Sequence, residues 1–582
     1  MPLPGVLERT AVSGYTFDVP ALLLALLLVA PAAAFEIPLT TRQRAQKLVE
    51  QGYERIIRGD YTGALSYCDE ALKVRNDWAP AYVCRSEARL WLKDPLSDRD
   101  ARQAMRHDPN SGDPYRLLGL WEYEGGRYPA AIQNFSRALE LSKLKPEGVT
   151  EIYYYRSRAR IKTNDLNGAL SDINHGLGVL QGISGSYGDW SFYSLRAEVR
   201  RRQGDYNAAD SDERQVLELI ENRLKHHVTE APELLRRRAN SFALLGEFEK
   251  AADEYGRILA TYKEGDTKTS LERVLALVMA GRYEAAGREL GPILDAEPRR
   301  PLIRRMRALA RAAGGDSSGA MADLDSFMSG TSASPETSQE LRLALEQDGG
   351  ALTQLEGWQA SAAPRDPALW GRRALVHELL LEHDQALSLG AKALSSDPLD
   401  EPARLARSAA ALTAGRCPEA AGDLDWLVDK HRDQGFFRWV RGECRCRTEE
   451  LDACIEDLDR ATGLERAAKS PAMRLASQYR CWLDRRTGSA TPEELARGLR
   501  YYDHARSLGT LDSADELGRI QTLVDYAILQ PRPKQLDSLR EASAACKQLL
   551  SEDPEDEQLA QTCLEIRKKL NGPKPKPAPK KK

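Results

Sequence analysis

The 582-residue sequence holds no apolar run long enough to cross a bilayer. Its longest clear block, residues 21–30 (ALLLALLLVA), is ten residues, about half of the roughly 20 that a membrane helix needs. A dominant charge is missing too: 83 Lys and Arg face 87 Asp and Glu, for a formal net charge of −4. That balance argues against a dedicated nucleic-acid binder, which needs a concentrated basic surface to displace counterions, so no nucleic acid is expected as a partner. Phosphate loops, nucleophile elbows and dinucleotide fingerprints are absent. Cys444 and Cys446 lack the two-residue gap of redox and zinc motifs. His377-Glu378 and His383 look briefly like a zinc-protease helix, but the two His are not at i and i+4, so they do not share a helix face. The adjacent His226 and His227 point two ways. No catalytic residue, metal site or cofactor is expected.

What is present begins with the apolar block itself. It is followed by Pro31 and three alanines, Ala32, Ala33 and Ala34, a small-residue pattern that reads as a signal peptide cut after Ala34. Glu8 and Asp18 outweigh Arg9 before it, so an uncleaved N-terminal anchor stays open as the alternative. The cysteines agree with export. Cys68 and Cys84 lie near the N-terminus, Cys417, Cys444, Cys446, Cys454 and Cys481 form a second group, and Cys546 and Cys563 close the chain. Their intervals match the step from one helix to the next in a helical hairpin, which in an oxidising compartment reads as interhelical staples. The expected pairs are Cys68–Cys84, Cys417–Cys444, Cys454–Cys481 and Cys546–Cys563, with Cys446 left over. Nine buried thiols acting as small apolar side chains are the alternative.

A hydrophobic fraction of 42% is ample for a continuous core. A phrase of Gly, a polar residue, an aromatic and a small residue recurs through the chain. It stands as Gly59-Asp60-Tyr61 with Ala64 and Ala71, and as Gly126-Arg127-Tyr128 with Ala131 and Ala138. It returns as Gly204-Asp205-Tyr206 with Ala209, Gly246-Glu247-Phe248 with Ala251, and Gly281-Arg282-Tyr283 with Ala286. Weaker copies begin at Asn164, Gly315 and Gly415, and Asp108-Pro109, Glu297-Pro298 and Asp397-Pro398 close units. Gly supplies the left-handed turn of a helix hairpin, the small residues let helix backbones approach, and Pro ends the second helix. A hairpin with two apolar faces cannot bury both alone, so the copies must stack.

This phrase resembles the tetratricopeptide repeat family, whose unit is two antiparallel helices in about 34 residues. The resemblance covers nearly all of residues 41–570. It implies an all-α fold, a right-handed superhelical solenoid of about thirteen hairpins. The expected organisation is a signal peptide or anchor over 1–34, an N-terminal array over 41–330 and a degenerate repeat or linker over 331–365. A C-terminal array with capping helices follows over 366–570, then a disordered Lys/Pro-rich tail over 571–582. Asn134-Phe135-Ser136 is formally a glycosylation sequon, but Phe135 holds a core repeat position.

In this family the first helix of each unit lines the concave surface. Carried over, that places Tyr82, Arg116, Tyr123, Tyr154, Arg158, Arg201, Arg236 and Asn240 in a partner-binding groove, and Tyr and Arg suit protein-binding hot spots. Their alternative use is pairing with the many nearby Glu and Asp. Some members clamp a C-terminal carboxylate with a Lys or Arg and an Asn four residues on. Arg236 and Asn240 match that half, but Glu272 stands where a second Asn is needed, so no clamp is expected. The leading expectation is a non-enzymatic scaffold for one or more proteins, in the bacterial periplasm, the cell envelope or the secretory space. A holdase-type chaperone is the alternative, with exposed apolar groove residues such as Leu271, Leu275 and Val278. The tail is expected either to touch an anionic surface weakly, at about 1 kcal/mol per Lys at most, or to act only as a solubilising segment.

Overall fold

The computed structural model describes residues 40–141, 144–181, 189–226, 232–261, 267–298, 300–330, 366–485 and 490–571. The leader, the 331–365 segment and the tail beyond Asn571 lie outside them. Among the described residues there are helices and turns but no strand, and no helix is long and apolar enough to cross a membrane. The chain divides into two compact units, Met1–Asp165 and Leu166–Lys582.

In the first unit, α1 (Thr41–Ile57) and α2 (Tyr61–Val74) form one hairpin and α3 (Ala79–Trp91) and α4 (Ser97–His107) the next. A third pairs α5 (Asp113–Glu124) with α6 (Tyr128–Glu140), and α7 (Pro146–Lys162) packs on α6. The second unit opens with α8 (Leu166–Gln181), packed on α9 (Asp189–Arg202), which pairs with α10 (Tyr206–His226). Next come α11 (Pro232–Leu244) with α12 (Phe248–Thr261), and α13 (Thr267–Met279) with α14 (Tyr283–Ala296). They are followed by α15 (Pro301–Ala313) with α16 (Ser317–Gly330). Beyond residue 365 stand α17 (Trp370–Leu379) with α18 (His383–Ser396), and α19 (Glu401–Thr413) with α20 (Ala421–Lys430). Then α21 (Gly435–Arg447) pairs with α22 (Leu451–Leu464), and α23 (Lys469–Arg485) with α24 (Pro492–Leu508). The last three are α25 (Ser513–Ile528), α26 (Arg532–Glu552) and α27 (Glu557–Leu570).

The recurring phrase builds each hairpin. Gly126 has φ +72°, its N–H donates to the Tyr123 carbonyl, and the Arg127 N–H donates back to the Glu122 carbonyl. This left-handed cap closes the carbonyl end of α5, and glycine takes it without a Cβ penalty. Where the phrase lacks Gly, Lys93, Asn164, Leu381 and Glu449 adopt the same positive φ. The aromatic starts the second helix, as at Tyr61, Tyr128, Tyr206, Phe248 and Tyr283. The small residues Ala64, Ala131, Ala209, Ala251 and Ala286 are fully buried between helices. A Cβ on Gly119 would meet the Phe135 ring at 2.5 Å, so α5 and α6 touch only because that position is glycine.

A second device recurs, and it is electrostatic. Buried Asp212 on α10 takes Arg196 and Arg200 of α9, both at 2.7 Å. The same triad joins Asp323 to Arg307 and Arg311, and Asp457 to Arg441 and Arg445. In the first unit Asp100 takes Arg85 and Arg89. Each carboxylate binds two guanidinium groups one helical turn apart, so the first helix of the hairpin is fixed in rotation against the second.

Cys68–Cys84, Cys417–Cys444, Cys446–Cys454 and Cys546–Cys563 are bridged. The expected Cys454–Cys481 bond is therefore corrected: Cys454 bonds Cys446, the residue left over in the sequence reading, and Cys481 is an exposed thiol. The reason is the α21–α22 turn, which folds Cys446 back onto the start of α22 with a Cα separation of 5.2 Å, inside the span a disulfide can bridge.

The flanks of the 331–365 segment do not stand apart. One hydrophobic core in the second unit runs from Leu235 to Leu495. There α17 packs on α13 and α15, and α16 packs on α21 and α23. The Arg305 guanidinium donates to both the carbonyl and the carboxylate of buried Glu378, whose second oxygen lies 2.8 Å from His383 Nδ1. His377 Nδ1 lies 2.5 Å from Glu382. The His-Glu-His sequence is thus part of the polar seam between α15 and α17.

Candidate partner-binding site

In the first unit α3, α5 and α7 pack side by side as the first helices of their hairpins. Their shared face begins with a charged ladder. Arg116 of α5 donates to Glu87 of α3 at 2.7 Å and to Glu151 of α7 at 2.5 Å. Burial opposes the Arg116 charge, but Glu87, Glu151 and Asp113 outweigh it and hold the guanidinium above its ordinary value. This arginine is therefore occupied by its own chain.

Two turns along the same helices the chemistry changes to aromatic. Tyr123 and Tyr155 meet edge to face at 5.3 Å, as do Tyr154 and Tyr155. Arg158 lies over all three rings, at 5.3 Å from Tyr123, 5.5 Å from Tyr154 and 5.9 Å from Tyr155. Burial pushes Tyr155 up to about 12, helped by Glu151, and raises Tyr123 as well. Both phenols stay neutral across the physiological range. Tyr155 also lines an open pocket of about 380 Å³ with Leu90, Trp91, Leu120 and Trp121, and Lys93 and Glu124 border it. Trp91 is 45% exposed, with Leu92 and Leu96 exposed beside it. Exposed aromatics on a rigid helix pair are the usual material of a protein-binding hot spot.

Of the sequence-named groove residues, the structure brings Tyr123, Tyr154 and Arg158 together, with Arg116 beside them. Tyr82 does not join them: it stacks on His107 at 5.4 Å and its hydroxyl donates to the Asn76 carbonyl. The other three lie in the second unit and serve its interior. Arg201 pairs with buried Glu213 at 3.0 Å. Arg236 pairs with buried Glu272, the residue that displaces an Asn from the clamp pattern. Asn240 accepts the Tyr255 hydroxyl at 2.6 Å. Leu271, Leu275 and Val278 are corrected outright: named as exposed groove residues, they are at most 1% exposed and belong to the core of the second unit. The apolar side of α13 is enclosed because α17 covers the face that a simple stack would leave open.

Sequence reasoning missed Trp91, Trp121 and Tyr155. Their signal was a local excess of aromatics on first helices, at positions other than those transferred from the family. It also missed the Arg–Asp–Arg staples, legible as two Arg four apart and an Asp on the next helix of the same hairpin.

The sequence was compared with known proteins, and no family model matches it. Mouse tetratricopeptide repeat protein 33 is 28% identical over 107 residues, which cover 18% of this chain and 41% of that protein. Hairpin after hairpin with a left-handed cap, an aromatic start and a buried alanine agrees with that match. The chain has a tetratricopeptide-repeat fold. Among solved structures, the chain is similar to pilF of Pseudomonas aeruginosa, at 17% identity over 39% of this chain and 95% of that one, with a TM-score of 0.31. It is also similar to PilW, a type IV pilus biogenesis factor, at 16% identity over 38% of this chain and 96% of that one, with a TM-score of 0.32. For the APC/C hetero-tetramer Cut9–Hcn1 the values are 11% identity, 90% and 96% coverage and a TM-score of 0.34.

Proposed function

We propose that this protein is a non-enzymatic scaffold of the cell envelope or secretory space that holds a partner protein on the α3–α5–α7 face of its first unit. The observation that carries the reading is the aromatic surface there: Trp91, Trp121 and Tyr155 on an open pocket, with Tyr123 and Tyr154 packed against Tyr155, on helices tied together by ion pairs. Apolar and aromatic area left exposed on a well-packed support is area available for a partner. Export is supported by the signal-like leader and by four disulfides, which persist in oxidising compartments. The holdase reading loses its named groove, because Leu271, Leu275 and Val278 lie in the core.

The test is capture of the tagged protein from its own cells after mild crosslinking, with a parallel Tyr154→Ala/Trp121→Ala variant. One or two stoichiometric partners that vanish in the variant are the expected result. A broad set of substoichiometric clients, unchanged by the variant, would replace the scaffold with a chaperone.

A further inference from the structure

Most arginines on the first-helix faces of the described residues pair with an acid, and Arg158, Arg373 and Arg438 are among those that do not. Arg116 is held by Glu87 and Glu151, Arg201 by Glu213, Arg236 by Glu272 and Arg305 by Glu378. Those of the staples share a buried Asp. Arg158 is different. Among the described residues it has neither an ion pair nor a hydrogen bond, and its contacts are the faces of three tyrosines. It is half-buried, so part of its hydration is already removed by those rings. A guanidinium in that setting keeps five donors and a full charge with no acidic group among the described residues in ion-pair contact with it. Exposed Lys93, which likewise has no ion pair among the described residues, borders the adjoining pocket with Arg127 and the single acid Glu124.

Resting on the scaffold reading, we infer that the partner segment bound here is acidic: a large apolar side chain enters the Trp91–Trp121–Tyr155 pocket, and a neighbouring Asp or Glu carboxylate pairs with Arg158. Tyr155 joins the two subsites, since one ring both lines the pocket and faces the guanidinium. A carboxylate arriving at Arg158 meets a planar fork already oriented by aromatic stacking, so little side-chain freedom is lost on pairing. Lys93 adds attraction of the same sign. A basic segment would place its cations against Arg158 and Lys93, and like charges at an interface are costly.

The experiment uses the full chain and two pools of labelled octapeptides, read by fluorescence anisotropy. Both pools fix a Phe at the fourth position; one fills the other positions with Asp and Glu, the other with Asn and Gln. The acidic pool is expected to bind at least about tenfold more tightly at low salt, with the advantage shrinking as salt rises. Arg158→Gln, which breaks no ion pair but removes the ring contacts, should keep a single cooperative thermal transition and erase the preference. Trp121→Ala should weaken both pools. Equal binding of the two pools, no binding of either, or a preference that survives Arg158→Gln would overturn the inference. A partner captured from cells and lost with Tyr154→Ala/Trp121→Ala would still leave the scaffold reading intact.

Discussion

Asp515 stands in the first turn of α25, close to the capping Asp512, and is only partly open to water. Burial first, and then the Asp512 charge, raise its carboxyl from the ordinary 3.8 to about 6. A folded value above the unfolded one means that the native chain binds this proton more tightly. The stabilising contribution is therefore complete below about pH 3.8 and is lost as the pH rises through about 6. Asp515→Asn removes the penalty of the charge while keeping a group that can bond Ser477. Denaturation between pH 4 and pH 8 should show the variant more stable by about 1 kcal/mol near pH 8, a figure reduced for solvent screening, with the gain gone near pH 4. A gain that grows toward low pH would contradict this account. At this scale the sequence was a fair guide to residue type and a poor one to residue use. Arg201, Arg236 and Arg158 look alike along the chain; what separates them is whether a Glu from a neighbouring helix arrives, and that depends on rotation about the helix axis.

At the scale of the element, the hairpins were legible because their determinants are local. A glycine that must take positive φ, an aromatic two residues later and an alanine between backbones all lie within one short phrase. Lys93 and Glu449 show the tolerance of that code, since the turn keeps its left-handed geometry without glycine. The staples were less legible because their members lie on two helices. Asp457 is 1% exposed and binds Arg441 and Arg445 of the preceding helix. Asp457→Ala should cost about 3 kcal/mol or more, because two guanidinium groups lose their only buried carboxylate. Urea unfolding followed by far-ultraviolet circular dichroism would measure it. A loss near zero would mean that the triad is a surface ion pair of little worth. The disulfide correction has the same origin: spacing suggested hairpin-length bridges, and the short turn between α21 and α22 brought Cys446 to Cys454 first.

At the scale of the molecule, sequence periodicity anticipated stacking and missed its return. A linear array would leave the apolar side of α13 open, and the chaperone alternative depended on that. In the second unit α17 covers it, and Arg305 with Glu378 and Ser317 with the Phe436 N–H fasten the helices before residue 331 to those after 365. Contacts this distant along the chain leave no mark in a repeat pattern. If this is correct, cleavage at a protease site introduced into residues 331–365 should leave both fragments together on native size-exclusion chromatography, melting in one transition. Fragments that separate without denaturant would contradict the continuous core.

The central claim is that the first unit carries the partner-binding face, and hydrogen exchange tests it most directly. The protein would be measured free and as the complex isolated from its own cells. Added protection concentrated in peptides covering α3, α5 and α7, residues 79–91 and 113–162, is the predicted result. Protection confined to the second unit, with these peptides exchanging as in the free chain, would contradict it.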